Sequence, residues 1–389
     1  MRDAVIVEAV RTPIGKGKAN GALSHVHPVE LLAHTLRALV DRSGIDPALV
    51  DDVVGGTVDQ VGEQAMNTTR YAWLSAGFPE AVPATTVDRQ CGSSQQAVHF
   101  AAQGVISGAY DMVVACGVES MSRVPMWSNV PAGADPFGPG VAARYPEGLV
   151  PQGISAELIA AKWSIGREQM DDFATTSHRR AARAQADGLF GAEIAPLAGV
   201  AADESVRPAT TPEILAGLKP SFVDPVFAER FPQIDWSVTA GNSSPVNDGA
   251  SAVLITSSET AARLGLRPLA RLHSFAVTGS DPLLMLTGVL PATEKVLRRA
   301  GLGLDDIDLF EVNEAFASVV LAWLQETGAN PEKVNVHGGA IALGHPLGAS
   351  GTRLMTTLVH AMRERGARYG LQTMCEAGGL ANATVLEAL

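Results

Sequence analysis

Cys91 stands in the stretch Asp88-Arg89-Gln90-Cys91-Gly92-Ser93-Ser94-Gln95-Gln96-Ala97, where a short apolar run ends and a small-residue segment begins. Residues 84–87 upstream read as a strand, and Ala97, Phe100, Ala101 and Val105 recur at helical spacing over 92–107. Cys91 is therefore expected at a helix N-terminus. Unpaired N–H groups and the positive end of the helix dipole stabilise a thiolate there and lower its pKa. The chemistry such a thiol offers is nucleophilic attack. The alternative is a small buried hydrophobe, the usual fate of a free cysteine.

A weak internal repeat supplies a partner. Cys91-Gly92-Ser93-Ser94, a helix, Gly108-Ala109, a strand and Cys116-Gly117 make up one copy. The second runs His345-Pro346-Leu347-Gly348-Ala349-Ser350-Gly351, a helix, Gly366-Ala367, a strand and Cys375-Glu376. If the halves pack about a pseudo-twofold axis, the two helix starts converge and His345 comes within reach of Cys91. Chance likeness between Gly- and Ala-rich segments is the competing explanation. Cys116, in an apolar strand, reads as structural, and His337 as a residue satisfying backbone groups in a Gly-rich turn.

Strands are expected at 4–9, 53–58, 84–87 and 111–115, with helices at 28–43, 67–76 and 92–107 between them. The alternation resumes with strands at 252–256, 269–277, 309–312, 334–336, 371–374 and 382–386 and helices at 293–300, 315–326 and 348–365. Strands alternating with helices imply an α/β protein with a parallel or mixed sheet covered on both faces. Between 122 and 242 the pattern changes. Helices are expected at 155–163 and 167–187, whereas 131–140 and the proline-bearing 208–236 lack regular periodicity. A segment of that length reads as a subdomain covering a site.

Composition narrows the function classes. The 389 residues are 46% hydrophobic, with 39 Gly and 23 Pro, a compact and turn-rich chain of two or three domains. Three cysteines without metal-ligand spacing argue against a disulfide framework and a metal site, and for a reducing compartment. Residues 1–10 carry Arg2, Asp3 and Glu8 within their apolar run and lack a secretory h-region, so the cytoplasm is expected. No stretch reads as a membrane span. The formal charge of -12 disfavours nucleic acid, and an anionic ligand would need a local basic patch.

Four stretches then carry a family likeness: 88–94, Asn313-Glu314-Ala315-Phe316, the long run from Asn335 to Gly351 containing Gly344-His345-Pro346, and Thr373-Met374-Cys375-Glu376-Ala377-Gly378-Gly379. Together, and in this order, they resemble the signatures of the thiolase family, the acetyl-CoA acyltransferases and acetyltransferases. The likeness runs from Val5 to the C-terminus and is weakest over 124–150. It implies a thiolase-like α/β fold of two pseudo-symmetric mixed-sheet halves stacked as αβαβα layers, with a large inserted loop subdomain. The halves would be 1–121 with 245–268, and 269–389; the loop subdomain, 122–244, would cover the coenzyme A site.

The resemblance also implies roles. Cys91 would be the acylated nucleophile with His345 as proton acceptor, and Cys375, with a pKa near neutrality, the acid/base on the second carbon. Asn313 would orient a water that binds the thioester oxygen together with His345, although from its residue type alone it could equally cap a helix. The N–H groups of Cys91 and Ala377 would form a second oxyanion hole, with Ala377 standing where the family commonly has Gly. Arg207, Leu218, Ser244, Met285 and Phe316 match positions along the coenzyme A tunnel. Coenzyme A and acyl-CoA would be the substrates, with no bound cofactor. Homodimers or homotetramers are implied, with an edge strand near 85–87 pairing across a twofold.

Two departures bear on the acyl group. Pro151-Gln152-Gly153 replaces the His-Met-Gly common in biosynthetic members, and about ten extra residues fall between Phe222 and Ser237. Both favour a degradative 3-ketoacyl-CoA thiolase taking medium, long or bulky acyl chains, steroid side-chain fragments included. The alternatives are condensation of two acetyl-CoA, a ketosynthase-type enzyme, which Cys375 disfavours, and a non-catalytic acyl-CoA or lipid-binding member of the fold.

Overall fold

The computed structural model describes residues 2–389. In the first half, β1 (Val5–Arg11), β2 (Gly15–Lys16), β3 (Asp52–Gly56), β4 (Ala84–Val87), β5 (Met112–Ser120) and β6 (Asn247–Thr256) alternate with α1 (Pro28–Ser43), α2 (Thr68–Ser75) and α3 (Ser93–Ser107). Between β5 and β6 lie α4 (Gly138–Arg144), α5 (Gln152–Lys162), α6 (Arg167–Ala186), α7 (Pro212–Ala216) and α8 (Pro225–Arg230). The chain closes with α9 (Ser258–Leu264), β7 (Ala270–Gly279), α10 (Val289–Ala300), β8 (Leu309–Val312), α11 (Ala317–Thr327), α12 (Ala340–Leu343), α13 (Ser350–Arg365), β9 (Tyr369–Glu376) and β10 (Leu380–Ala388).

The strands run in the order β4-β3-β5-β6-β1-β7-β10-β9-β8, with β2 added beside β6. From β4 inward the pairings are parallel, parallel, antiparallel, antiparallel. On the other side a single bridge joins Val334 to Phe310 of β8 in parallel sense, and β8-β9, β9-β10 and β10-β7 repeat the same succession. The two halves are thus pseudo-symmetric. Their strands pair where β1 meets β7, Val5 with Arg271 and Ile6 with Ala270.

Alternation of side chains along the strands builds three apolar layers. Val5, Val7 and Val10 of β1 and Val114, Cys116 and Val118 of β5 pack beneath α1, whose Leu31, Leu32, Leu36 and Leu39 face inward. Ile6, Ala9, Val113 and Ala115 point the other way, onto α3 and α13. Ala381, Ala383 and Val385 of β10 face α10 and α11 through Val296, Val320 and Trp323. The layers are therefore α1/α2, sheet, α3/α13, sheet, α10/α11. Cys116 lies in the outer core at 0% exposure, where burial pushes its thiol pKa up, as a structural cysteine should be.

The central pair of helices positions the site. Thr352 N donates to Ser94 Oγ at 3.0 Å, and a methyl group added to Gly351 would strike the Gln95 backbone nitrogen. Only glycine permits this approach. The starts of α3 and α13 accordingly touch, as the internal repeat predicts.

Several expectations are corrected. The strand expected at 334–336 reduces to the Val334 bridge, because Asn335 turns to φ +47 and its side chain takes over the pairing, accepting from Val312 N and donating to Val312 O, each at 2.9 Å. α11 begins at Ala317, so Asn313 caps no helix. α4 begins at the end of the stretch read as irregular, α7 and α8 interrupt 208–236, and α9 was not foreseen. His337 Nε2 lies 3.1 Å from Glu364 Oε2 rather than serving the turn's backbone. Among the described residues no helix is long and apolar enough to cross a membrane.

Candidate active site

The turn carrying Cys91 is strained and held. Gln90 sits at φ +49, a conformation costing a non-glycine residue about 1–3 kcal/mol. Asp88 Oδ1 accepts from Gln90 N at 2.6 Å, while Ser93 Oγ accepts from Arg89 N at 2.9 Å and donates to Gln90 O at 2.6 Å. Cys91 is 5% exposed at the foot of a cavity of about 340 Å³. Val58 and Leu347, which pack with Cys91, line it together with Ala377 and Met285, and Met126, Trp127, Val130, Phe137 and Leu149 add an apolar side from the long loop segment. Pro151 and Gln152, singled out from sequence, lie on its wall.

His345 is buried and doubly anchored. Its backbone N donates to Asn247 Oδ1 at 3.0 Å, and its Nδ1 lies 2.6 Å from Ser350 Oγ. Ser350 Oγ in turn donates to Pro346 O at 2.8 Å. Having spent its only proton there, the hydroxyl can only accept from His345, which fixes the Nδ1–H tautomer and leaves Nε2 as the free base. Nε2 lies 3.5 Å from Asn313 Nδ2, and Asn313 Oδ1 has no partner. Glu119, in the otherwise apolar end of β5, ties this loop to the first half. Its Oε2 accepts from Gly348 N at 2.8 Å and Val58 N at 2.9 Å, and its Oε1 from Gln64 Nε2 at 2.7 Å and Asp59 N at 3.2 Å.

The electrostatics revise the expected resting state. Burial, reinforced by Cys375 and Glu376, pushes the Cys91 thiol well above its ordinary value. Burial, with Glu376 adding, pushes Cys375 up to about 12, so neither a standing Cys91 thiolate nor a near-neutral Cys375 is present. The helix terminus does not prevail because its leading N–H groups are engaged: Gly92 N donates to Arg89 O and Ser93 N to Gln90 O. Burial, then the positive charge of Arg353, lowers His345 to about 3. The site rests as two neutral thiols and a neutral imidazole.

Cys91, Ala377 and Met285 share one cavity, whereas Cys375 lies fully buried at the end of β9. Phe316 packs against Phe222, ring centroids 5.9 Å apart, and bridges to Ser243; Ser244 N donates to Ala315 O at 3.0 Å. Leu218 is partly exposed against Gly241. Arg207 stands apart at the surface, its Nη2 3.1 Å from His178 Nε2 on α6. Sequence reasoning missed Ser350 and Glu119. A carboxylate inside an apolar strand was the available signal for the latter.

Residues 4–259 match the thiolase N-terminal domain and residues 266–388 the thiolase C-terminal domain. The chain belongs to the thiolase family. Among the thiolases it is 47% identical to the steroid 3-ketoacyl-CoA thiolase FadA6 of Mycobacterium tuberculosis, covering all of this chain and 95% of that one. It is 45% identical to the 3-ketoacyl-CoA thiolase of Erwinia tasmaniensis over the full length of both. In structure this thiolase resembles the Bacillus anthracis acetyl-CoA acetyltransferase and human mitochondrial 3-ketoacyl-CoA thiolase. Each has a TM-score of 0.89 over 100% of this chain and 99% of the neighbour, at 38% and 36% identity.

Proposed function

We propose that the chain is a 3-ketoacyl-CoA thiolase that cleaves 3-ketoacyl-CoA with coenzyme A to acetyl-CoA and a shortened acyl-CoA. The observation that carries this reading is the cavity in which Cys91 and Ala377 meet an apolar side drawn from 126–149. His345 Nε2 takes the Cys91 proton as sulfur adds to the 3-keto carbon. The N–H groups of Cys91 and Ala377 receive the resulting oxyanion. Collapse breaks the bond between the second and third carbons. The acetyl-CoA enolate leaves with its oxygen held by His345 and an Asn313-bound water, and takes its proton from Cys375. Coenzyme A then attacks the Cys91 thioester, passing its thiol proton back through the same groups, and releases the shortened acyl-CoA with Cys91 restored.

The loop subdomain, 122–244 between halves 1–121 with 245–268 and 269–389, would cover the coenzyme A. Arg207 would lie near its adenine end, and Leu218, Ser244, Met285 and Phe316 along its pantetheine arm. β4 is the outermost strand of its half, which supports pairing of two copies there into a homodimer, or a homotetramer built from it. The cytoplasm is the compartment this reading assigns. A rate profile over 3-ketoacyl-CoA chain lengths tests the degradative subtype, and longer or bulkier chains should be cleaved with the higher kcat/KM. A clear preference for acetoacetyl-CoA would favour the second reading, condensation of two acetyl-CoA, to which the likeness to an acetyl-CoA acetyltransferase lends support.

A further inference from the structure

The mechanism leaves one titratable group beside the reacting sulfur unused. Glu376 ends β9, between Cys375 and Ala377, and is 0% exposed. Both of its carboxyl oxygens are buried with no hydrogen-bond partner. Its carboxyl lies so close over Gly92 that a methyl group there would collide with Oε1. Gly92 follows Cys91 and Glu376 precedes Ala377. The contact therefore joins the two peptide segments that carry the Cys91 and Ala377 N–H groups.

An ionised carboxylate with no well-formed hydrogen bond, only the Asn382 backbone N–H nearby, would be strongly disfavoured in such a place. The charged and titratable neighbours are Asp88 and Arg89 on the turn before α3, with the Cys91 and Cys375 thiols. Asp88 opposes ionisation and Arg89 favours it, yet no hydrogen bond joins Arg89 to Glu376, and burial outweighs both in pushing the carboxyl well up from its ordinary value. A negative charge here would also oppose an oxyanion forming between the adjacent N–H groups.

We propose that Glu376 is a positioning residue that works in its neutral form: packed on Gly92, it registers the Ala377 N–H beside the Cys91 N–H, and by staying uncharged it leaves the oxyanion undisturbed. This rests on the thiolase reading of the site. Its test is the rate of Cys91 acetylation by acetyl-CoA, a step that makes or breaks no carbon–carbon bond, followed by quenched mass spectrometry from neutral to strongly alkaline pH. Wild type should lose rate at alkaline pH as Glu376 ionises. Glu376→Gln, uncharged and of the same shape, should match wild type at neutral pH and keep its rate where wild type fails. Glu376→Ala should acetylate about 10- to 100-fold more slowly at every pH, the scale of a misplaced reacting geometry. Superimposable profiles for wild type and Glu376→Gln, or full-speed acetylation of Glu376→Ala, would overturn the proposal. Failure of wild type itself to acetylate at Cys91 would instead overturn the thiolase reading.

Discussion

His345 Nδ1 lies 2.6 Å from the Ser350 hydroxyl, which donates its own proton to Pro346 O, so one serine five residues downstream decides which imidazole nitrogen can act as a base. Ser350 also opens α13, the helix whose start abuts α3. Fold and chemistry are therefore joined at this residue.

Replacing Ser350 by Ala releases the tautomer while leaving Asn247 and Glu119 to hold the loop. We expect kcat to fall roughly 100-fold, the scale of a lost general base, with KM little changed. Nitrogen-15 spectra of the histidines should show the His345 proton moving from Nδ1 toward a mixture. An unchanged kcat would remove Ser350 from the account.

Cys375→Ala should separate the two halves of the reaction. Cys91 should still accept an acyl group from acetyl-CoA, while cleavage of 3-ketoacyl-CoA falls by roughly 100-fold or more. Equal loss of both steps would contradict the assignment of the second thiol.

Buried histidines make a contribution to stability that acid removes. His345 and His99 are lowered to about 3 and His178 to about 4, all by burial first, so between those values and the ordinary 6.5 the unfolded chain binds protons that the folded chain refuses. Their contribution is complete above the unfolded pKa and is lost as pH falls through that window. Glu119, raised to about 7 by burial, acts in the opposite sense: its folded form holds a proton between its ordinary 4.5 and about 7, so it favours the fold at the acid end and loses that contribution as pH rises. Glu311, raised to about 8 by burial, and Glu376, raised well above its ordinary value, act with Glu119, so the net slope is the difference between these carboxyls and the histidines. His99→Gln, a position outside the site, should lower the slope of stability against pH between about 3 and 6.5 by about one proton. An unaltered slope would show that His99 does not remain neutral in the fold.

What could be read ahead of the structure was whatever local signals determine. α1 ends at Gly44, in the left-handed conformation that glycine there suggests, and β4 and β8 fall on the expected residues because apolar spacing and turn residues bound them. The meeting of Cys91 and His345 elements was legible through the repeat. The Val334 strand was lost because Asn335 could be seen to replace a backbone ladder only once Val312 stood beside it. The state of Cys91 was misjudged for a similar reason. Its helix position is local, but the burial that opposes ionisation comes from Val58, Met121, Leu347 and Met374, brought in from distant segments. Ser350 and Glu376 look ordinary in sequence, and they and Glu119 take their meaning from contacts across the two halves.

The most direct test of the central claim is the mass of the protein after brief incubation with a 3-ketoacyl-CoA in the absence of free coenzyme A. The account predicts that the shortened acyl group is found on the peptide carrying Cys91, with acetyl-CoA released in equal amount, and that Cys91→Ser shows neither. Acetyl-CoA release without an adduct at Cys91, or no cleavage by the wild-type protein, would contradict it.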